Sequence, residues 1–534
     1  MGRKEGRNYT RKSVVPDRSI RTRRAPRRCS APAARRRSGK PPPGPARTAI
    51  AAHGRTTARP AWVRDAGRRD FGAIIRGSPG QRPVSEFSPG GARRPSSKQS
   101  MDVIVIGGGI SGVATAYQLR AAGHRVCVVE RHATVAQGAT YGDGGMLLPS
   151  PLDVWFGPTF MRGRQPRDTG IVYKPGFNGG VRRFVKQLAT LREPDAFAAQ
   201  YARLRPLIDA SRDTLADIEA RFGLEFEQKP GILHVVRELR DWEALQPALD
   251  LLRTLDQPYR VLTADECAAL EPSVPAEPSF AGGVLLDAER TGNGPLFAKL
   301  VRQALDEHGV QFRFGADVAA IRVDHGRVAV ELAPAGGGRH TAKAHEVDVI
   351  AADAIVVAAG AGSLPLLERL GWQLPLHPVR VHTLTAPVAY EEHAPHLSVV
   401  DSIKRISITR SHQRLRIGGA AVLQSAADTA KPLPEQLSET TLALLSQAVH
   451  DWVPGAARIS AALSWQGTQL LSPDGLPVVG PTPHPRVFVN FGHGPAGWGL
   501  ACGSARVVTD YVGGDTQQWP ADTLAALSAA RFAT

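Results

Sequence analysis

The sequence predicts an α/β protein in which a mostly parallel sheet is interleaved with an antiparallel one, behind a disordered N-terminal leader. Three observations predict it. A strand–glycine–helix–strand unit occupies residues 101–130. An apolar strand running into small residues and glycine ends near residue 362. Strand-like segments follow one another between residues 377 and 419. Strands separated by helices argue for parallel βαβ construction, whereas successive alternating strands argue for an antiparallel sheet.

The leader stands apart by charge. Residues 1–100 hold 26 Lys and Arg against 5 Asp and Glu, and the remaining residues hold 40 against 44. The formal net charge of +17 is therefore a property of the leader. The rest is slightly acidic and gives no footing for nucleic-acid binding. The stretch RTRRAPRRCSAPAARRRSGKPPPGPAR lacks apolar periodicity, and disorder is expected because it cannot bury enough surface to offset chain entropy. Its simplest origin is a start codon assigned upstream of Met101, which directly precedes the first strand. A transit peptide and a nucleic-acid- or membrane-binding arm are the competing readings.

No run of 18 apolar residues and no secretory signal is present, so a cytoplasmic chain is expected, docked at most peripherally on the inner face of a membrane. The four cysteines, Cys29, Cys127, Cys267 and Cys502, are scattered without a C-x-x-C pair. That pattern suits a reducing compartment and predicts neither a disulfide framework nor a metal site.

Residues Met101 to Glu130 read MDVIVIGGGISGVATAYQLRAAGHRVCVVE. A strand from Val103 to Ile106 runs into Gly107, Gly109 and Gly112, an Ala-rich helix follows, and a second strand from Arg125 to Val129 leads to Glu130. This is the order of a Rossmann-like dinucleotide-binding unit. Gly107 permits the tight turn, Gly109 admits a pyrophosphate to the backbone, and Gly112 lets helix and strand approach. Amides at the helix start face the phosphates. Glu130, 23 residues after Gly107, can accept from a ribose 2′-OH.

The small-residue loop RHATVAQGATYGDGGMLLPS can press backbone against a flat ligand. Helical patterns then dominate from Val181 to about Leu255, with a strand at Gly231–Val236. Thr263 and Glu266 form a capping box. Pro295 to His308 is helical. Gln311–Phe314, Val318–Val323 and Arg327–Leu332 are expected to form a small meander. Asp353 to Gly362, DAIVVAAGAG, can close a parallel sheet over a nucleotide. VRVHTLTAP, ISITRS and RLRIGGA suggest an antiparallel sheet with inward basic residues. Leu437 to Val449 is helical, and a strand, a Gly-rich turn and a helix start recur in VFVNFGHGPAGWGLACGSARVV.

Together these segments resemble the FAD-dependent D-amino acid oxidase superfamily, and most closely the D-amino acid dehydrogenase small-subunit branch. The resemblance runs from Met101 to about Gly514. It is carried by the first glycine motif, GATYGDGGMLLPS, LTADECAALEPSV, AIVVAAGAGS, WQGTQLLSPDGLPVVG and NFGHGPAGWGLACGS. It implies an FAD-binding domain over 101–150, 295–370 and 472–515, a substrate domain over 151–294 and 371–471, and a C-terminal tail over 516–534.

The resemblance also implies cofactor contacts. Ile106, Gly107, Gly109, Ile110, Ser111 and Gly112 would hold the pyrophosphate, and Glu130 and Arg131 the ribose. Val318, Ala359 and Gly360 would border the nucleotide. Gly138, Ala139, Thr140, Gly144, Gly145 and Met146 would flank the flavin ring on one side and Gly494, Gly497, Trp498 and Gly499 on the other, with the Trp498 side chain expected mainly to pack. No cysteine lies in Trp465–Gly480, so non-covalent FAD is expected.

The implied reaction is oxidative deamination of a D-amino acid or related amine. A hydride passes to flavin N5, a 2-oxo acid and ammonia result, and electrons leave to a quinone or other carrier. No acid–base residue is assigned. A glycine- or sarcosine-type oxidase using O₂, a nucleic-acid-binding protein with a vestigial flavin fold, and a nicotinamide-linked enzyme are the alternatives. Where many relatives carry a carboxylate-binding arginine, this chain has Gln469. A basic-Gly-Tyr segment reads Arg380-Val381-His382, and an Asn in the flavin loop reads Asp143. The substrate candidates are therefore Arg380, His382, Arg410, Gln469 and His493.

Overall fold

A computed structural model describes residues 100–147, 149–160, 166–172, 179–276, 280–324, 327–334, 348–424 and 436–532. The basic leader up to residue 99 lies outside the described residues.

The first unit is β1 (Asp102–Ile106), α1 (Ile110–Ala121) and β2 (Arg125–Glu130). β1 and β2 are parallel, in register from Asp102 opposite Arg125 to Ile106 opposite Val129. Val103 and Val105 enter one apolar cluster with Val126 and Val128, whereas Ile104 and Ile106 enter another with Cys127 and Val129. Both faces of the sheet are buried, which is why its strands read as unbroken apolar runs. Cys127 behaves as the small hydrophobe its position suggests, with burial pushing its thiol up to about 11.

Next come β3 (Ile171–Val172), α2 (Gly179–Ala189), α3 (Pro194–Phe222), β4 (Lys229–Val236) and α4 (Leu239–Thr254). They lead to β5 (Arg260–Leu262), α5 (Ala264–Leu270), β6 (Gly282–Thr291) and α6 (Gly294–Glu307). The capping box forms: Thr263 Oγ1 accepts from Glu266 N–H, and Glu266 Oε2 accepts from Thr263 N–H at 2.7 Å. Asn293 caps α6 by accepting from Leu296 N–H at 3.1 Å.

β7 (Gln311–Phe314), β8 (Ala316–Asp324), β9 (Arg327–Pro334) and β10 (Asp348–Ala352) correct the expected meander. β7 does not belong to it. It pairs in parallel with β2, and the three-stranded meander is β8, β9 and β10. Phe312 and Phe314 stack with centroids 5.9 Å apart under the Arg302 guanidinium of α6. That apolar face packs against the main core rather than against the meander.

β11 (Ala354–Val357) lies parallel to β1 on the side away from β2, and α7 (Ser363–Arg369) follows. Then come β12 (His377–Pro387), β13 (Ser398–Asp401), β14 (Ile406–Ser411), β15 (Arg414–Leu423), α8 (Glu439–Trp452) and β16 (Leu463–Leu471). The chain ends with β17 (Val478–Pro481), β18 (Val487–Phe491), α9 (Gly497–Gly513) and α10 (Ala521–Leu527).

The six-stranded sheet runs β17-β18-β11-β1-β2-β7, with only β17 antiparallel to its neighbour. The larger sheet runs β16-β12-β15-β14-β13-β4-β6-β5, with β3 added beside β15. Its strands come from both sides of the meander in sequence, so the two sheets are interleaved along the chain, as expected.

Candidate active site

The first half of the site is the turn between β1 and α1. Gly107 has φ of +107°, and a Cβ there would stand 2.5 Å from Ala358 O at the end of β11. A Cβ on Gly112 would stand 1.9 Å from Gly107 O, so α1 rests directly on the turn. Gly109 differs: a Cβ there would meet only Thr140 Oγ1, at 3.4 Å. The groove above the helix start is open, and Thr140 Oγ1 accepts from Ile110 N–H at its edge, at 3.0 Å. Glu130 is buried at the end of β2 and accepts from Gly108 N–H at 2.5 Å and from His132 N–H at 2.8 Å. An open groove over a helix N-terminus, beside a fixed carboxylate at the end of the second strand, fits a dinucleotide pyrophosphate and its ribose.

The second half is the loop around Asp143, which the large sheet grips. Thr383 Oγ1 donates to Gly142 O at 2.8 Å, Thr409 Oγ1 to Gly144 O at 3.3 Å, and Arg416 Nε to Asp143 O at 2.7 Å. Asp143 Oδ1 accepts from Gly145 N–H at 2.7 Å. Burial raises the Asp143 carboxyl to about 6, against the pull of that amide and of Arg416. The ring of Trp465 in β16 fills the place a Cβ on Gly142 would take, 1.8 Å away.

Where this loop meets the sheet, a cleft is lined by Gly144, Met146, His382, Gln469, Arg405 and Asp153, among others. Two of the five substrate candidates are brought there. Gln469 presents an Oε1 that is buried without a partner. His382 donates from Nδ1 to Ala420 O at 2.7 Å, which leaves Nε2 as the ring's acceptor. Burial, with Arg380 nearby, holds the His382 imidazole down at about 4, so it is neutral at neutral pH.

The other three candidates are placed elsewhere. Arg380 lies opposite Thr468 on β16 and does not line the cleft, although His382 two positions on does; the pairing with β15 is irregular between the two. With the Gln424 amide turned so that its oxygen faces the guanidinium, Arg380 donates to it from Nε at 3.2 Å and from a terminal nitrogen at 2.6 Å. Arg410 is engaged by Glu391 and by His412 O. His493 is locked between α1 and α9, with Nε2 2.9 Å from Ser504 Oγ and Nδ1 3.5 Å from Ser111 Oγ. Burial pulls it down to about 4, which makes it a neutral structural histidine. The Trp498 ring packs on Phe226 and Phe297, with centroids 5.8 and 6.0 Å away.

Arg405, Asp153 and Ser402 line the cleft although no sequence signal singles them out. Arg405 lies in KRISITR, five residues before the basic residue that the strand pattern favours. Its position in the turn into β14, not its neighbourhood in sequence, brings it to the cleft.

Residues 102–511 match the protein family described as FAD dependent oxidoreductase. A D-amino acid dehydrogenase of Cereibacter sphaeroides is 36% identical over 422 residues, covering 78% of this chain and 92% of the relative. A D-amino acid dehydrogenase of Agrobacterium fabrum is 30% identical over 421 residues, covering 78% and 96%. Among solved structures, glycine oxidase from Geobacillus kaustophilus superposes with a TM-score of 0.59 at 21% identity, covering 81% of this chain and 99% of that one. L-proline dehydrogenase from P. horikoshii gives 0.56 at 15% identity, covering 82% and 98%. At such identities the structures speak for the fold alone.

Proposed function

The chain belongs to the FAD-dependent oxidoreductase family, and from that premise we propose that it is a dehydrogenase of D-amino acids that passes electrons to a quinone or another carrier. The observation that carries this reading is the cleft in which the Gly142–Met146 loop meets Arg405, Gln469 and His382, within one fold with the open phosphate groove. When bound, FAD supplies at N5 the acceptor for a hydride from the substrate Cα–H, and the resulting imino acid hydrolyses to a 2-oxo acid and ammonia.

The chain's own residues bind and orient. Gly107 to Gly112 hold the pyrophosphate, Glu130 the ribose, and Val318, Ala359 and Gly360 border the nucleotide. Thr140 to Met146 and the turn at Gly494 to Gly499 position the flavin ring, with Trp498 contributing backbone there and its ring to the core. Thr383, Thr409 and Arg416 keep the loop's carbonyls turned toward the sheet. The neutral His382 offers an acceptor without bringing positive charge to the cleft. The boundaries at residues 150, 294, 370 and 471 are our division into cofactor and substrate domains. Among the described residues no helix is long and apolar enough to cross a membrane.

The test is a visible spectrum of the purified protein, followed by anaerobic titration with a panel of D- and L-amino acids and then admission of air. The expected result is a flavin spectrum that bleaches with D-amino acids and recovers slowly in air. A colourless protein, or bleaching only by L-amino acids, would overturn the reading. Fast recovery with stoichiometric peroxide would reassign the acceptor to O₂.

A further inference from the structure

We propose that the cleft takes its substrate as a zwitterion, with Arg405 receiving the α-carboxylate and Asp153 the α-ammonium; the inference rests on the amino-acid dehydrogenase reading above.

Arg405 occupies the turn between β13 and β14 with a φ of +53°. A non-glycine residue rarely adopts that conformation, and the surroundings enforce it here. A Cβ on Gly419 would stand 2.8 Å from Arg405 O, so the bare glycine of β15 makes room for the turn. The guanidinium leans over the Phe160 ring, 5.7 Å from its centroid. It donates to two neutral acceptors, Thr159 O at 3.0 Å and Thr159 Oγ1 at 2.9 Å. Its Nε is buried with no partner. No ion pair within 4.0 Å balances it among the described residues. Burial draws its pKa down to about 10, which still leaves it charged at neutral pH.

Asp153 is the complement. Its Oδ2 accepts from Ser150 N–H at 3.1 Å and from Ser150 Oγ at 2.5 Å, while Oδ1 is buried without a hydrogen bond. The nearest base is His234 Nε2, 3.5 Å from Oδ1. His234 is fully enclosed, and its Nδ1 lies 3.0 Å from Ser402 Oγ. Burial lowers the His234 pKa despite Asp153, so the ring does not supply the missing positive charge.

One cleft thus holds a half-buried guanidinium and a carboxylate with an enclosed side chain, each braced by neutral groups and each with one buried atom that makes no hydrogen bond. They form no ion pair within 4.0 Å of each other, although each feels the other's charge through space. Buried charges are stable only when paired, and an occupant bearing both signs satisfies both at once. An α-amino acid carries a carboxylate and an ammonium on one carbon, and the ammonium gives one proton to the Asp153 carboxylate before the Cα–H leaves as hydride, so that the nitrogen lone pair is free to form the C=N bond. The same arrangement explains how Gln469 is tolerated: the positive charge enters from the β13–β14 turn instead of from β16.

The test uses the FAD-loaded enzyme and three ligands: the D-amino acid that bleaches the flavin fastest, its carboxamide, and its deaminated carboxylic acid as a competitive inhibitor. Arg405→Met is expected to lower kcat/KM for the amino acid about 100-fold and to weaken the inhibitor similarly, while the carboxamide changes less than about 3-fold. Asp153→Asn is expected to weaken the amino acid and the carboxamide while sparing the inhibitor, read from inhibition constants and from the ligand-induced change in the flavin spectrum. If Arg405→Met does not accumulate as folded flavoprotein, Arg405→Lys replaces it, with about a tenfold loss confined to the two carboxylate ligands. Equal losses on acid and amide, or no loss in either variant, would overturn the clamp while leaving the dehydrogenase reading standing. Failure of the unmodified enzyme with every D-amino acid would overturn that reading, and the clamp with it.

Discussion

Gly109 and Gly112 lie three residues apart in the same motif, yet their substitutions should fail in different ways. At Gly109 the backbone is extended, with φ −69° and ψ 178°, which any residue can adopt. An alanine Cβ there meets only Thr140 Oγ1 at 3.4 Å, an ordinary contact. Gly109→Ala should therefore change the stability of the FAD-free chain by less than about 0.5 kcal/mol. The same methyl stands in the groove proposed for the pyrophosphate, and displacing the phosphates from the helix amides should weaken FAD by about 2–4 kcal/mol, or roughly 30- to 1,000-fold in Kd.

At Gly112 the new Cβ falls 1.9 Å from Gly107 O, a backbone atom that has no rotamer with which to escape. Contact requires roughly 3.3 Å, so α1 must shift by more than 1 Å. Overpacking of that kind costs about 1–3 kcal/mol, against about 1 kcal/mol gained from the better helix propensity of alanine. Gly112→Ala should thus lose both FAD and stability. The assays are thermal unfolding of the FAD-free proteins and fluorescence titration of FAD. An unchanged FAD Kd in Gly109→Ala, or equal destabilisation of the two free proteins, would refute the phosphate-groove assignment.

Asp143 has a carboxyl raised from 3.8 to about 6, so its stabilising contribution is full below about pH 4 and is lost as the pH rises through 6. Asp143→Asn should therefore stabilise the chain at pH 8 by up to about 3 kcal/mol and change little at pH 4, as read from urea midpoints; a gain that does not vary with pH would exclude ionisation as its cause. Gln469→Arg adds a second guanidinium beside Arg405 and should lower KM for simple D-amino acids about tenfold. Unchanged kinetics would place the residue 469 side chain outside the substrate's reach. Arg531 grips Asp474 in the PDG turn, with Nε 2.7 Å from Oδ2 and a terminal nitrogen 3.3 Å from Oδ1. Arg531→Ala should cost about 1–3 kcal/mol in thermal unfolding; an unchanged melting temperature would show that the C-terminal segment does not brace this turn.

The legible parts of the molecule are those whose physics is local. Gly107, Gly109, Gly112 and Glu130 lie within one βαβ unit, and their roles follow from turn sterics and from the direction of amides at a helix start. The strands around them are readable because a sheet covered on both faces demands unbroken apolar runs. β7 is not legible in the sequence because Gln311–Phe314 carries no mark of its partner. Two strands of similar composition, β2 and β8, were both available to it, and the packing of Phe312 and Phe314 beside α6 decided between them.

The substrate end shows the same limit more sharply. Arg380, Arg405 and Arg410 are one residue type within 31 positions, all in or beside strands of one sheet. Arg380 stands outside the cleft beside Gln424, Arg410 is taken up by Glu391, and Arg405 is turned into the cleft by a left-handed turn that Gly419 accommodates. The glycine motif determined by itself that this chain builds a dinucleotide cradle, because a contiguous motif encodes its own backbone geometry, and the family resemblance narrowed the ligand to FAD. Which charges meet the substrate was decided only by tertiary structure, because Asp153, His382, Arg405 and Gln469 come together through strand register and one strained turn, and neither leaves a signature in the order of residue types.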